Sequence, residues 1–346
     1  MTRLFTILAF LMAPSIAAAA TLLAATDGGG IAVRAASNEI AAFDLPSMRP
    51  AWTAAGVRNP HLLVLSPDGR WAAAIDAISN RLALADLAQR TSRIQPLPET
   101  PLAAGFLDGA LFVVSRDARI LSRIDPAGGE TRTAALQPGA SHLLAAGSGV
   151  IVYAPLTGVA ERFDPSTLRS LASAQLPRFA SDLESHGRSG YLVLPRSGQL
   201  AVFALDTLAL EKRSAAGAVP IDVAVEAPAT AARAARIAIA DPSSKRVWRD
   251  EGTQSTAEAF GRGFLRGLLG LGLYRPRSAA FPDGVDRLLA RGGRLLAFDS
   301  STGTVFAVDG DRATALVSGV AWGSFVPAGG ELLVARGGAI ERHPLP

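Results

Sequence analysis

A phrase of strands and turns that recurs about every 40 residues constrains the fold of this chain most strongly. Its clearest copy, residues 61–87, reads HLLVLSPDGRWAAAIDAISNRLALADL. Three short apolar stretches are separated by a PDG turn at 67–69 and a Ser-Asn pair at 79–80. Gly, Asp and Asn tolerate the positive φ angles of tight hairpin turns, so the phrase predicts antiparallel strands joined by short turns.

Weaker copies of this phrase extend over the rest of the chain. They begin near residues 21, 61, 101, 141, 181 and 221, and later copies occupy 294–310 and 325–346. Most are followed by a fourth alternating stretch, for example residues 50–55 and 91–97. Four-stranded units of about 40 residues are typical of a β-propeller, in which each blade buries its apolar faces only against its neighbours. We therefore predict an all-β propeller over residues 21–346 with eight four-stranded blades, the last without its fourth strand, or alternatively seven blades.

One part of this prediction leaves the register open. Residues 277–293 allow two alignments, in which either SAAF or DRLLARG is the innermost strand of the following blade. We also expect the two ends of the chain to share the closing blade, as propeller rings need some means of closure.

The turn motifs resemble those of a known repeat. LSPDGRWAAAIDAISNRLALADL, with its S-P-D-G and Asn turns, and RLLAFDSSTGTVFAV, with its D-x-x-T-G turn, resemble the repeat of YVTN-type bacterial β-propellers. The resemblance covers nearly all of the chain after residue 20 and implies the fold, because its motifs are turn chemistry. It also implies an exported bacterial protein with a binding or surface role. A related eight-bladed type carries the d1 haem of nitrite reductases, and another propeller type consists of lactonases.

The N-terminal residues predict export. Arg3 precedes a short apolar run, Leu4 to Met12, and small residues end in Ala18-Ala19-Ala20. This order is typical of a secretory signal peptide over residues 1–20, and the run is short for a membrane span. An uncleaved anchor is the alternative. The chain has no cysteine, which excludes a lipid-anchored cysteine, disulfides and a C-x-x-C-H haem. We therefore expect a periplasmic or secreted protein.

Composition argues against nucleic-acid binding. Charged residues make up 18% of the chain, its formal net charge is +4, and all but two of its 34 basic side chains are arginine. These charges are spread along the chain, whereas a nucleic-acid reader usually concentrates them on one element with interleaved aromatics.

An apolar insert interrupts the repeat at residues 253–276. Its large side chains recur near helical spacing, while its five glycines weaken a helix. We predict a short helical or irregular insert that packs on the propeller rim or, alternatively, contacts a partner or a membrane surface. The candidate contact residues are Phe260, Phe264, Leu265, Leu268 and Leu269.

Four polar residues form the candidate ligand site. Aligning the blades on their turns places His61, His142, Asp182 and Asp222 where the innermost strand begins, at one mouth of the central channel. Imidazole and carboxylate groups that converge there can hold a divalent metal or a small polar ligand. The alternative is a solvated channel lining. Asp286 joins them under one of the two registers.

Two functions follow from these patterns. The first is a non-catalytic, monomeric binding or scaffold protein for a protein or envelope partner, without a cofactor. The second is a metal- or ligand-binding propeller, including an enzyme, with its site at the channel mouth. No G-x-S-x-G elbow is present and no residue is assigned a catalytic role.

Overall fold

The structure, a computed structural model, confirms the predicted all-β propeller of eight blades. It describes residues 21–25, 31–45, 47, 49–147, 149–226, 236–251, 277–282, 284–291, 293–309, 311–336 and 339–346. In these residues 31 strands form eight antiparallel sheets, seven with four strands and one with three. The one helical turn in this part of the chain is η1 (Pro195–Ser197).

The first four blades follow the chain in order. Blade one contains β1 (Leu22–Ala25), β2 (Ile31–Ala36), β3 (Glu39–Asp44) and β4 (Arg49–Ala55). Blade two contains β5 (Leu62–Leu65), β6 (Trp71–Asp76), β7 (Arg81–Asp86) and β8 (Thr91–Pro96). Blade three contains β9 (Pro101–Leu107), β10 (Ala110–Ser115), β11 (Ile120–Ile124) and β12 (Thr131–Ala135). Blade four contains β13 (His142–Ala146), β14 (Gly149–Ala154), β15 (Val159–Phe163) and β16 (Ser170–Gln175).

The second four blades repeat this plan. Blade five contains β17 (Asp182–His186), β18 (Ser189–Leu194), β19 (Gln199–Ala204) and β20 (Leu210–Ala215). Blade six contains β21 (Asp222–Glu226), β22 (Arg236–Asp241), β23 (Arg246–Glu251) and β24 (Arg277–Ala280). Blade seven contains β25 (Arg287–Arg291), β26 (Arg294–Asp299), β27 (Thr304–Asp309) and β28 (Arg312–Val317). Blade eight contains β29 (Phe325–Ala328), β30 (Glu331–Arg336) and β31 (Ala339–Pro344).

The turn residues behave as their chemistry predicts. Asn38 and Asn80, which join second to third strands, have φ angles of 61° and 52°, and Gly69 in the PDG turn has a φ of 69°. Asp68 also stabilises its turn, because its carboxylate accepts hydrogen bonds from the Ser66 hydroxyl and the Arg70 N–H. The repeated turn motif therefore sets the position of the hairpins.

The hydrophobic core consists of layers between blades. Eight buried clusters are present, one at each contact between successive blades, including the contact of blade eight with blade one. Second and third strands are almost fully buried, for example Trp71–Asp76, whereas fourth strands such as Leu210–Ala215 are mostly exposed. Since each sheet presents one face to the preceding blade and the other to the next, first strands line the channel and fourth strands form the rim.

Of the two registers that the sequence leaves open at 277–293, the structure shows the one in which DRLLARG supplies the innermost strand of blade seven. Arg277–Ala280 is the fourth strand of blade six, and Arg287–Arg291 is the first strand of blade seven. The insert at 253–276 therefore connects the third and fourth strands of blade six. Its predicted conformation and its five candidate contacts, Phe260, Phe264, Leu265, Leu268 and Leu269, lie outside the described residues.

Ring closure differs from the expected sharing of one blade by the two chain ends. In the described part of the chain, blade one is built only from N-terminal strands and blade eight only from C-terminal ones. The Leu23 N–H donates to the Gly323 carbonyl over 2.7 Å, and Leu23 packs with Val326 and Leu333. Side-chain packing and this hydrogen bond thus join blades eight and one.

None of the described residues belongs to a helix that could cross a bilayer.

Candidate functional site

Two sets of connections share one face of the propeller. Each first strand begins where the link from the preceding blade arrives, and the turn between second and third strands lies at that same end. We call this the upper face, and the opposite one the lower face. The upper mouth of the channel is bordered by the beginnings of the first strands.

Three of the four predicted residues occupy equivalent positions at this mouth. His142, Asp182 and Asp222 are each the first paired residue of their first strand. Arg287 holds the same position in blade seven. The structure therefore places these side chains on four successive blades, four to seven, in the order histidine, aspartate, aspartate, arginine.

His61 lies one residue out of step with the others. In blade two the equivalent position is held by Leu62, and His61 precedes it. The hairpin of blade two closes with a four-residue turn at 67–70, whereas that of blade five closes with a two-residue turn at 187–188. Alignment on the turn centres therefore shifts the strand start by one residue. His61 also lies two blades before His142, away from the other three.

The two aspartates join their blades to the next blade. The Asp182 Oδ2 atom accepts a hydrogen bond from the Val223 N–H over 3.0 Å. The Asp222 Oδ2 atom accepts one from the Leu288 N–H over 2.6 Å, and its Oδ1 lies 3.7 Å from an Arg287 guanidinium nitrogen. Each carboxyl group thus connects its own first strand to the backbone of the next.

Acidic groups around Asp182 hold their protons more tightly than usual. Burial, followed by the negative charge of Asp182, raises the pKa of Asp222 well above its usual range, and Arg287 opposes this. Glu184 lies two residues after Asp182 on β17, so the two side chains share one face of that strand. The Glu184 side chain is open to the channel but surrounded by the ring of blades. This loss of bulk water, with a second contribution from Asp182, raises the pKa of Glu184 to about 8. Asp182 therefore lies close to two carboxyl groups whose pKa values are raised.

Both histidines are enclosed. The His142 ring packs edge-on against Tyr153 at 5.9 Å between ring centres, and its Nδ1 lies 3.0 Å from the Ser141 hydroxyl. Burial lowers the pKa of His142, although Asp182 opposes the shift. The His61 Nδ1 accepts a hydrogen bond from the Ala77 N–H over 3.1 Å, and burial likewise lowers the pKa of His61. Both imidazoles are therefore neutral at pH 7.

These contacts favour a structural role for the mouth residues. Within the part of the chain that the structure describes, no three His, Asp or Glu side chains are grouped so that they could hold a metal ion. The predicted metal or ligand site at His61, His142, Asp182 and Asp222 stays a prediction. Sequence reasoning placed Asp286, and not Arg287, at this position under one of the two registers. In the structure Arg287 holds the position, and the Asp286 carboxylate accepts hydrogen bonds from the Ser300 N–H and hydroxyl groups.

A second feature of the upper face is apolar. In the part of the chain that the structure describes, eight large hydrophobic side chains are exposed, and five of them lie in its connections, namely Ile78, Leu156, Phe179, Val219 and Trp322. The other three lie on fourth strands at the rim, namely Ile94, Leu171 and Leu210. None of these side chains lies in a lower-face connection that the structure describes. Among the described residues, the exposed large apolar side chains are therefore concentrated in the connections of the upper face.

Part of this surface is continuous over blades four to six. It consists of residues 155–158, 176–181, 195–198, 216–221 and 242–245, which we call the upper patch. The Phe179 N–H donates to the Pro155 carbonyl over 2.7 Å, and the Arg196 guanidinium lies 3.8 Å from the centre of the Phe179 ring. The Ala216 N–H donates to the Gly198 carbonyl, and Asp241, directly before the last segment, accepts hydrogen bonds from the Ala218 and Val219 N–H groups. Leu156 is the most exposed large apolar side chain of the patch, at 66%.

Comparison with known proteins identifies the fold alone. No family model matches the chain, and no curated protein matches it in sequence. Among solved structures, the computationally designed Ika8 protein is 12% identical with a TM-score of 0.66, covering 95% of this chain and 97% of its own. The dihydro-heme d1 dehydrogenase NirN is 11% identical with a TM-score of 0.66, covering 93% of this chain and 69% of its own. The β-propeller domain of Cps50 (Swd1) from Myceliophteria thermophila is 14% identical with a TM-score of 0.59, covering 84% of this chain and 95% of its own. At such identities these similarities show that the chain is a β-propeller, and they assign no activity to it.

Proposed function

We propose that this chain is an exported, non-catalytic β-propeller of the YVTN-repeat type that binds a protein or envelope partner through its upper face. The observation that carries the proposal is the asymmetric distribution of exposed apolar side chains described above. Connections on one face of a rigid ring are a common place for binding residues, because loops vary while the scaffold stays constant. An apolar surface concentrated on one face is also typical of an interaction site.

Export is supported by the order of residues 1–20 and by the resemblance to YVTN-type repeats. The test is the intact mass and cell fraction of the protein in a bacterial host. We expect a periplasmic or secreted species that begins at Thr21. A full-length species in the membrane or cytoplasmic fraction would contradict export.

Partner binding is tested by position-specific crosslinking. A photoreactive amino acid replaces Leu156 in the upper patch or, as a matched control, Leu171, which is 50% exposed on the rim. We expect a discrete protein adduct in the producing cells from position 156 and none from position 171. The absence of an adduct at 156, or equal adducts at both positions, would contradict binding through the upper face.

The insert is proposed as a separate contact with a partner or with a membrane surface, because it connects the third and fourth strands of blade six, whose junction lies at the lower face. Its candidates remain Phe260, Phe264, Leu265, Leu268 and Leu269. Deleting residues 256–275 tests this proposal. A shift of the protein from the membrane to the soluble fraction, or loss of a partner that co-purifies with wild type, supports the contact; unchanged fractionation and co-purification oppose it.

A second candidate function is a small-ligand or divalent-metal site at the channel mouth. The observation in its favour is the group formed by Asp182, Asp222 and Glu184, in which two carboxyl groups have raised pKa values. Perturbed acids are common in functional sites, although structural networks produce them as well. Because Asp182 and Asp222 already accept backbone hydrogen bonds, this candidate ranks second.

A further inference from the structure

We infer that the upper patch binds a partner segment in which Asp or Glu residues flank a large apolar side chain. This inference rests on the proposed function and adds the place and the chemistry of the contact. It depends on the charges of the patch, on its geometry and on the way its cations are held.

The charge of the upper patch has one sign. Its five segments contain Arg178, Arg196 and Lys245 and no Asp or Glu. Of the aspartates that adjoin these segments, Asp222 and Asp241 are buried, and Asp182 accepts a hydrogen bond from the Val223 N–H at the channel mouth. The Asp241 carboxylate accepts hydrogen bonds from the Ala218 and Val219 N–H groups. The surface that a partner meets is therefore cationic and apolar, and complementary charge favours a partner with carboxylates.

The geometry of the patch is established before binding. The Arg178 Nε donates to the Thr157 carbonyl over 2.9 Å, and the Arg196 guanidinium lies over the Phe179 ring. An arginine stacked on an aromatic face is partly ordered in the free protein, so less conformational entropy is lost when it pairs with a carboxylate. Exposed apolar side chains lie in the neighbouring segments, Leu156 in the one that contacts Phe179 and Val219 in the one that contacts Gly198.

The same contacts favour a peptide over a lipid surface. Cations that bind anionic membranes usually extend from the protein beside inserting aromatic side chains. Here Arg178 is held against Thr157, and the Lys245 ammonium donates to the Pro282 carbonyl over 2.7 Å. These side chains lie along the surface, and Phe179 is only 37% exposed because Arg196 covers it. A partner peptide lying across the upper patch can reach both its cationic and its apolar side chains.

The test uses peptides of random sequence. Purified protein is immobilised and screened with phage-displayed random dodecapeptides, and the enriched peptides are synthesised and titrated by fluorescence. We expect enrichment of Asp or Glu next to Leu, Ile, Phe or Trp. The R178E/R196E double variant should bind at least about tenfold more weakly, because both arginines then repel the peptide carboxylates. Arg169, exposed on the lower face, supplies the matched control R169E, which should bind like wild type.

Other outcomes overturn the inference. Enrichment of neutral or basic peptides would do so, as would equal binding to wild type and R178E/R196E. Vesicles of phosphatidylglycerol that bind wild type but not R178E/R196E would show a lipid-binding surface instead. If R178E/R196E has a lower melting temperature than wild type, the milder R178Q/R196Q replaces it, with the same direction of effect expected. Failure of the peptide test together with a crosslinked adduct at position 156 would refute this inference and leave the proposed function standing.

Discussion

Asp182 Oδ2 accepts a hydrogen bond from the backbone N–H of Val223, in the next blade, over 3.0 Å. One blade further on, Asp222 repeats the contact with the Leu288 N–H over 2.6 Å. A first strand has an edge that faces the channel and no strand of its own sheet on that side. These carboxyl groups therefore satisfy backbone donors that would otherwise face the mouth, and they also fix the offset between neighbouring blades.

Replacement of Asp222 should distinguish a hydrogen-bonding role from a charged one. Asp222→Ala leaves the Leu288 N–H without its partner, so we expect unfolding free energy to fall by about 1–3 kcal/mol. Asp222→Asn has the shape of the protonated acid and keeps an acceptor for Leu288. We expect its stability at pH 7 to be close to wild type, measured by denaturant unfolding.

The matched control for Asp222 is an exposed carboxylate. Asp206 pairs with Arg188 at the surface over 2.9 Å, and Asp206→Ala should leave the free energy of unfolding close to that of wild type. If Asp222→Ala were as mild as Asp206→Ala, the contact with Leu288 would not contribute to stability.

Glu184 should make stability depend on pH. Its pKa of about 8 in the folded chain exceeds the ordinary value of 4.5, so the folded state binds more protons between these values. The linkage relation then requires stability to decrease as pH rises from about 4.5 to about 8. Glu184→Gln should remove this decrease, giving a higher melting temperature than wild type at pH 8 and the same one at pH 4.5.

An exposed glutamate provides the comparison for that experiment. Glu211 lies on the exposed fourth strand of blade five, and Glu211→Gln should follow the wild-type pH curve. A Glu184→Gln curve parallel to wild type from pH 4.5 to 8 would show that Glu184 ionises normally.

Asp76, which precedes the turn between the second and third strands of blade two, should be important for stability. Asp76 is fully buried, and its carboxylate accepts hydrogen bonds from the N–H groups of Asn59, Ile78 and Ser79. Asp76→Ala removes all three acceptor contacts, and we expect a loss of at least about 1–3 kcal/mol in urea unfolding. Asp68→Ala, in an exposed turn, should cost less, and a reversed order would contradict this account.

Metal content decides between the two candidate functions. We expect purified protein to contain no stoichiometric divalent metal, because Asp182 and Asp222 already accept backbone hydrogen bonds and His61 lies two blades from His142. Elemental analysis of wild type and of the H61A/H142A variant provides the measurement. About one equivalent of metal in wild type that is lost in the variant would favour the channel-mouth site.

Turn residues carried most of the information about the fold. The hairpin turns need positive φ, which Asn38, Asn80 and Gly69 tolerate, so the spacing of such residues predicts the hairpins and hence the blades. The register at 277–293 stayed open because SAAF and DRLLARG are both short apolar stretches of strand length. Only pairing distinguishes them: Arg277–Ala280 completes blade six, and Arg287–Arg291 begins blade seven.

The candidate site was less predictable from sequence. A difference of two residues in turn length moves His61 out of step with Asp182, and the composition of the turn does not show this difference. The environment of Glu184 depends on seven other blades. The upper patch joins residues almost 90 positions apart, from Leu156 to Lys245, and no local pattern marks them as neighbours.

The closing contact between blades eight and one has a consequence for how this molecule opens. In the described residues no sheet crosses any contact between blades, and the contact of blades eight and one is the one that no connecting segment spans. Its separation breaks the Leu23–Gly323 hydrogen bond and exposes the apolar side chains around Val326 without dissolving any strand pair. The lowest-energy opening of the ring should therefore occur there, with all eight sheets intact. Amide exchange at Leu23 should then be faster than exchange inside the blades, and it should report the opening of the ring separately from unfolding.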